Sequence, residues 1–436
     1  MAINKAFVRV FRTRFITLLA LHLMGVCALV ASGSASDGHG FNEHWVATWS
    51  TTLTQSEVIP GLSNAGFNNQ TLRQIVHASI GGRRVRVRLS AFGASGLLVG
   101  SAHIALSAGG ASVVSGSDRV LTFGRNPSIT IPSGAPVLSD PVDLTVPEAA
   151  DLAITLFLPG MTGPATWHFD ARQTSYISPS GNFATSSAMP LDALTPTTTS
   201  WFWIAGVDVL ASRESDAIAA LGESVTDGAQ STVDANHRWP DYLARRLMNR
   251  WDGPGLSVLN EGLDGNRLLH DELGPNGLSR FDRDVLSQPG LAYVIVLAAA
   301  NDIGTGWPGG IYPDQEVSAE QIVQAFRQLI ARAHTAGLKI FGGTIMPTKG
   351  FLIPGTQFPV YSPGNEAKRQ QVNYWIRTSY EFDGVIDFDR VLRDPNDPAR
   401  LLPHYDSGDH AHPTDQGYEA MADAIDLKLF RKEERH

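Results

Sequence analysis

The chain has 436 residues, 43 % of them hydrophobic and 18 % charged, and a formal net charge of −9. That composition is globular, so disorder is not the default expectation, and the length is enough for two domains with cores of their own. The acid excess argues against nucleic acid and against anionic membrane as stable partners.

Residues 1–36 read as an export signal. Lys5, Arg9, Arg12 and Arg14 form a basic start, Phe15 to Ala31 an apolar run, and Gly33-Ser34-Ala35 a small-residue exit suited to cleavage near Ala35. A membrane anchor is the competing reading of the apolar run. Export is preferred because small residues and Asp37-Gly38-His39-Gly40 follow at once. The expected location is therefore secreted or periplasmic. Removing this segment, which holds four cations and no acid, takes the charge from −9 to −13. It also removes Cys27, the one cysteine, so no disulfide, thiol nucleophile or thiolate metal site is expected in the mature chain. Val26 before Cys27, where a lipidated cysteine needs a small residue, argues against lipid attachment.

From 45 to 209 the chain is made of short apolar runs divided by Gly, Pro, Ser and Asn. Val85-Arg86-Val87-Arg88-Leu89 alternates with period two, and Ile129-Thr130-Ile131 and Leu152 to Leu158 are β-rich. These features predict an all-β sandwich of jelly-roll type. From 215 to 430 strands alternate with helices. Ile218 to Leu221, Leu256 to Leu259, Tyr293 to Leu297 and Lys339 to Thr344 have the pattern of strands in a parallel sheet. Trp239 to Leu247, Ala319 to Ala336, Glu366 to Tyr380 and Thr414 to Phe430 are the predicted helices. The expected fold of this half is a layered α/β domain, with its site beyond the carboxyl ends of the strands.

Four strings fall just after such apolar runs or just before the last helix. Gly222-Glu223-Ser224 offers a serine at a strand end, beside helix-start amides, although a turn serine is the plainer reading of that string alone. Gly262-Leu263-Asp264-Gly265-Asn266 offers a backbone amide that can approach a substrate, or simply a tight turn. In Ala300-Asn301-Asp302 the Asn301 amide can donate to an oxyanion while Asp302 accepts loop amides; turn chemistry is the alternative. Asp409-His410-Ala411-His412 lets one loop bring a carboxylate to an imidazole. His404, Asp406, Asp409, His410 and His412 also crowd together as a metal site would, but no second ligand cluster appears and no metal or other cofactor is expected. Trp201, Trp203 and Trp307 are candidate sugar-stacking faces or core residues.

Together these strings resemble the blocks of the SGNH hydrolase superfamily, also called GDSL esterases, over residues 217 to 430. The resemblance implies a three-layer α/β/α sandwich around a parallel sheet, of flavodoxin-like type. It implies Ser224 as nucleophile, His412 as base and Asp409 as its partner, with Ser224, Gly265 and Asn301 forming the oxyanion hole. The segments Trp45 to Trp49 and Thr71 to His77 look like the β-rich extension of a secreted bacterial subset. Two residues depart from the family pattern: Glu223 replaces the usual aspartate, and Ala300 the usual glycine. The implied substrate is a short-acyl ester, such as an acetylated carbohydrate; a lipid or lysophospholipid ester is the alternative. A carbohydrate-binding protein that has lost catalysis is the competing reading from another class.

Overall fold

The computed structural model describes residues 43–55, 66–93, 95–249 and 255–431. The signal segment and Cys27 lie outside them. Residues His44–His436 form one compact unit. Among the described residues no helix is long and apolar enough to cross a membrane.

The β-rich half is antiparallel. Its main strands are β1 (Trp45–Ser50), β2 (Asn68–His77), β3 (Gly82–Ser90), β4 (Ser101–Gly109), β5 (Asp151–Met161), β6 (Thr166–His168), β7 (Ser175–Ser180) and β8 (Ile204–Leu210). One sheet runs β1-β8-β3, with two short strands added beyond β3; another has β7-β2-β5-β4 at its centre. Val85, Val87 and Leu89 of β3 share one hydrophobic cluster with Leu72 and Val76 of β2 and Leu152, Ile154 and Leu156 of β5. The alternation read in the sequence is thus the inner face of packed sheets. Trp201 and Trp203 are 3 % and 1 % exposed, which corrects their candidacy as sugar-stacking faces: they are core. Trp307 is half-buried, with its indole N–H bonded to the Gly304 carbonyl at 3.0 Å.

The second half holds a five-stranded parallel sheet. Its strands are β9 (Asp216–Gly222), β10 (Leu256–Glu261), β11 (Leu291–Leu297), β12 (Lys339–Gly343) and β13 (Gly384–Ile386), in spatial order β10-β9-β11-β12-β13. Successive residues of β9 face opposite layers. Ala219 and Leu221 pack with Ile322, Phe326 and Leu329 of α5 (Ala319–Thr335) and with Val372 and Ile376 of α6 (Pro363–Thr378). Ile218 and Ala220 pack with Trp239 and Leu243 of α2 (Trp239–Met248) and with Tyr418 and Met421 of α8 (Asp415–Asp423). Apolar cover on both faces explains why these strands read as unbroken apolar runs. The predicted helix Thr414 to Phe430 is two elements, α8 and a 3-10 turn Leu427–Phe430. Asp426 ends the run between them by accepting the Lys428 amide with its side chain.

The two halves meet around a buried carboxyl, Glu261 at the end of β10. It accepts hydrogen bonds from the Ser50 hydroxyl, from Thr52 Oγ1 at 3.2 Å and from Gln288 Nε2 at 3.0 Å. Burial, with Asp284 acting the same way and Ser50, Arg280 and Arg88 opposing, pushes Glu261 up to about 8. A carboxyl raised on folding contributes stability below its unfolded pKa and loses it as pH rises through the folded value. Glu261→Gln should therefore flatten the decline of melting temperature between pH 5 and pH 8. Calorimetry of both proteins at the two pH values checks this.

Candidate active site

In a parallel sheet with this strand order the crevice opens where the order reverses, at the carboxyl ends of β9 and β11. The loops there carry Ser224 and Asn301. Gly222 ends β9 because no side chain fits: a Cβ would lie 2.0 Å from Thr226 Oγ1 and 2.8 Å from the Leu297 carbonyl oxygen. The chain then turns through Glu223 into the one-turn helix α1 (Ser224–Asp227). As the first helical residue, Ser224 has an amide with no intrahelical acceptor.

His412 lies in the loop before α8. Its Nε2 is 2.8 Å from Ser224 Oγ and its Nδ1 is 2.7 Å from Asp409 Oδ2. Asp409 Oδ1 accepts the amides of Ala411 at 3.0 Å and His412 at 2.9 Å, so the loop's own backbone fixes the carboxylate. The Phe351 ring meets the imidazole edge-on at 5.5 Å. Burial works to raise Asp409, but the hydrogen bond and charge of His412 and the two amides outweigh it and hold the carboxyl well below its usual range. For His412 burial works downward, and it is outweighed by Asp409, Asp264 and Asp170, so its pKa is raised.

The extra methylene of Glu223 is used to cross the crevice. Its carboxylate accepts the amides of Ala299 at 2.6 Å and Asn301 at 3.3 Å, at the start of α4 (Ala300–Thr305). Burial, then the nearby Asp302, pushes Glu223 well above the ordinary glutamate range, against the pull of the Ala299, Asn301 and Ala300 amides. Asp302 accepts the amides of Leu268 at 2.6 Å and Leu269 at 2.9 Å, the loop-holding role expected of it. Asn301 Nδ2 donates to the Asn266 carbonyl at 3.0 Å, which fixes the plane of its amide.

A small cavity of about 40 Å³, partly open to solvent, is lined by Ser224, His412, Asn301, Ala300, Phe351 and Met346 among others. Gly265 does not line it. Its loop abuts the site from the side, at φ +68°, where a Cβ would strike Leu273. The carboxyl of the neighbouring Asp264 is raised to about 6 by burial. Ser224, His412, Asp409 and Asn301 are thus brought together, while Gly265 is a neighbour outside the cavity lining.

The remaining residues of the His/Asp cluster pair elsewhere: His410 Nδ1 with Asp406 at 2.6 Å, and the His404 ring with Tyr405. Among the described residues no three His, Cys, Asp or Glu side chains converge as metal ligands would. Sequence reasoning missed Arg280, in the helix Gly277–Phe281 and buried. It donates to the carbonyls of Gly222 at 2.8 Å and Glu261 at 2.9 Å and to Asn266 Oδ1 at 2.9 Å, bracing the ends of β9 and β10. No motif near Arg280 announces this, because Thr52, Gly222 and Glu261 reach it from other elements of the fold.

A doubly wound α/β domain with a hydroxyl, an imidazole and a carboxylate in line at its crevice is built as a hydrolase is built. Residues 220–420 match the GDSL-like Lipase/Acylhydrolase family and form a domain of it, and the chain is a carboxylic ester hydrolase. No curated protein matches the chain. Similar solved structures include a GDSL-like lipase from Bacteroides thetaiotaomicron, at 18 % identity over 49 % of this chain and 87 % of that one, TM-score 0.36. An aryl esterase of M. smegmatis matches at 18 % over 48 % and 95 %, TM-score 0.37. A carbohydrate acetylesterase family member from Sinorhizobium meliloti matches at 18 % over 48 % and 94 %, TM-score 0.36.

Proposed function

We propose that the protein is a secreted serine esterase for short-acyl esters, acetylated carbohydrate being the favoured substrate, with Ser224 as nucleophile, His412 as base and Asp409 as its orienter. The observation that carries this reading is the unbroken line from Ser224 Oγ through the His412 ring to Asp409, at 2.8 and 2.7 Å, on the wall of an open cavity. His412 Nε2 takes the Ser224 proton as Oγ attacks the ester carbonyl. The alcohol leaves with that proton, and water, activated by the same imidazole, releases the acid from the acyl-enzyme. The Ser224 amide and the Asn301 side chain hold the oxyanion. The Gly265 amide is the third donor to it.

Short acyl groups are favoured by what lies behind the cavity wall. Beyond Ala300, Ile345, Met346 and Val360 a second small cavity is lined by Glu366 and Arg369, an ion pair at 2.7 Å. A long apolar chain passing that wall meets charge, which is costly for both. A lipid-like ester is the second reading, favoured by Leu352 and Phe358, 45 % and 43 % exposed in the segment that carries Phe351. Hydrolysis of p-nitrophenyl acetate, butyrate and decanoate, beside acetate release from acetylated xylan, separates the two. A maximum at decanoate overturns the short-acyl reading. Asn301→Ala should lower kcat by about 10²- to 10³-fold with a smaller effect on KM, because the donor acts on the oxyanion and not on the ground-state carbonyl. Steady-state kinetics on p-nitrophenyl acetate measures it.

A further inference from the structure

His168 closes β6 in the β-rich half, and its ring is buried. Nδ1 lies 2.9 Å from the Thr52 carbonyl oxygen and Nε2 lies 2.8 Å from Asp227 Oδ1. A carbonyl oxygen and an ionised carboxylate can only accept, so both ring nitrogens carry hydrogen and the ring is an imidazolium. Asp227 is the last residue of α1, the helix that Ser224 begins, and its Oδ2 accepts the Asp264 amide at 2.9 Å. One carboxylate therefore ties the nucleophile helix to the loop that precedes Gly265. The two segments have no slack between them, because a Cβ on Gly262 would lie 2.2 Å from the Asp227 nitrogen.

We propose that His168 is a positioning residue of the esterase site: by donating to Asp227 it fixes the Ser224 helix and the Asp264-Gly265 backbone from across the junction with the β-rich half. This rests on the roles given to Ser224 and Gly265 above. The groups around the imidazolium are Asp227 on α1, Asp170 on its own segment with Arg172 at 3.8 Å, and the Trp201 ring at 5.6 Å, which carries the Arg238 guanidinium. Burial works to lower the His168 pKa; Asp227, the Thr52 carbonyl and Asp170 outweigh it and raise it.

Two substitutions separate positioning from bulk stability. The amide nitrogen of glutamine mimics Nε2 and keeps a donor for Asp227, whereas that of asparagine mimics Nδ1 and abandons it. His168→Asn should lower kcat by about 10²-fold with KM nearly unchanged, and slow fluorophosphonate labelling of Ser224 in proportion. His168→Gln should recover most of both. Wild-type kcat should fall on the alkaline side as the imidazolium loses its proton, and His168→Gln should lack that limb. A folded His168→Asn protein labelled as fast as wild type overturns the proposal, as does an equal kcat loss in the two variants. If His168→Asn does not fold, the ring nitrogen-15 signals of wild-type His168 at pH 7 decide: two protonated nitrogens support the proposal and a bare one overturns it. Failure of wild type itself to label would instead strike the ester-hydrolase reading, and this inference with it.

Discussion

Ser224→Ala is expected to lower kcat on p-nitrophenyl acetate by about 10⁶-fold and to abolish fluorophosphonate labelling, with the melting temperature little changed. The hydroxyl makes one hydrogen bond through Oγ, to His412 Nε2, so its removal leaves a single ring nitrogen on a partly open cavity wall, where water can replace the partner. Thr348 is the other hydroxyl on that wall, but the imidazole is committed to Ser224. Full retention of activity in the folded variant would move the nucleophile elsewhere. A folded wild type that neither labels nor hydrolyses any ester would favour a binding protein, the reading that Glu223 and Ala300 first suggested.

Asp409→Asn should cost about 10⁴-fold in kcat, a loss larger than removal of a hydrogen bond alone would give. The reason is local. Oδ1 already accepts the Ala411 and His412 amides, so an asparagine must keep its oxygen there and present its NH₂ to His412 Nδ1. Two donors cannot face each other, so Nδ1 gives up its proton and Nε2 takes one, leaving no lone pair to receive the Ser224 proton. The pH profile adds a second readout. His412 must be neutral to act as base, and its raised pKa sets the acid limb of wild-type kcat/KM above that of an unperturbed imidazole. Loss of the Asp409 charge moves the residual activity's acid limb to lower pH. A variant with unshifted limb and near-native kcat would remove Asp409 from the site.

The parts of the site that sequence displayed are those whose chemistry sits inside one loop. Asp409 and His412 are three residues apart and their geometry is made by the backbone between them; Asn301 and Asp302 follow the most apolar strand. What sequence hid is whatever the tertiary fold supplies. Glu223 looked awkward because its partners, the Ala299 and Asn301 amides, come from the neighbouring strand's loop. Arg280 and His168 had no motif because each braces atoms far along the chain. Helix boundaries erred where a side chain intervened: Ser362 caps α6 by accepting the Asn365 amide and starts it ahead of Glu366, and Asp426 starts a 3-10 turn where one helix was expected. Trp201 and Trp203 are core for a simpler reason, since aromatic residues in a β-rich half are as readily core as contact.

The placement of β10 has a consequence for how copies of this chain meet. A parallel sheet ends in two strands with unpaired ladder groups, and an open edge recruits strands from other molecules. Here β10 is one edge strand, and it faces the β-rich half: the Val258 amide donates to Ser79 Oγ at 3.1 Å and the Ser257 hydroxyl to the Ala47 carbonyl at 2.6 Å. The opposite edge, β13, is only three residues long. The β-rich half thus acts as a guard on one flank of the sheet and brevity guards the other, so the domain that carries the chemistry offers no long template for intermolecular strand addition.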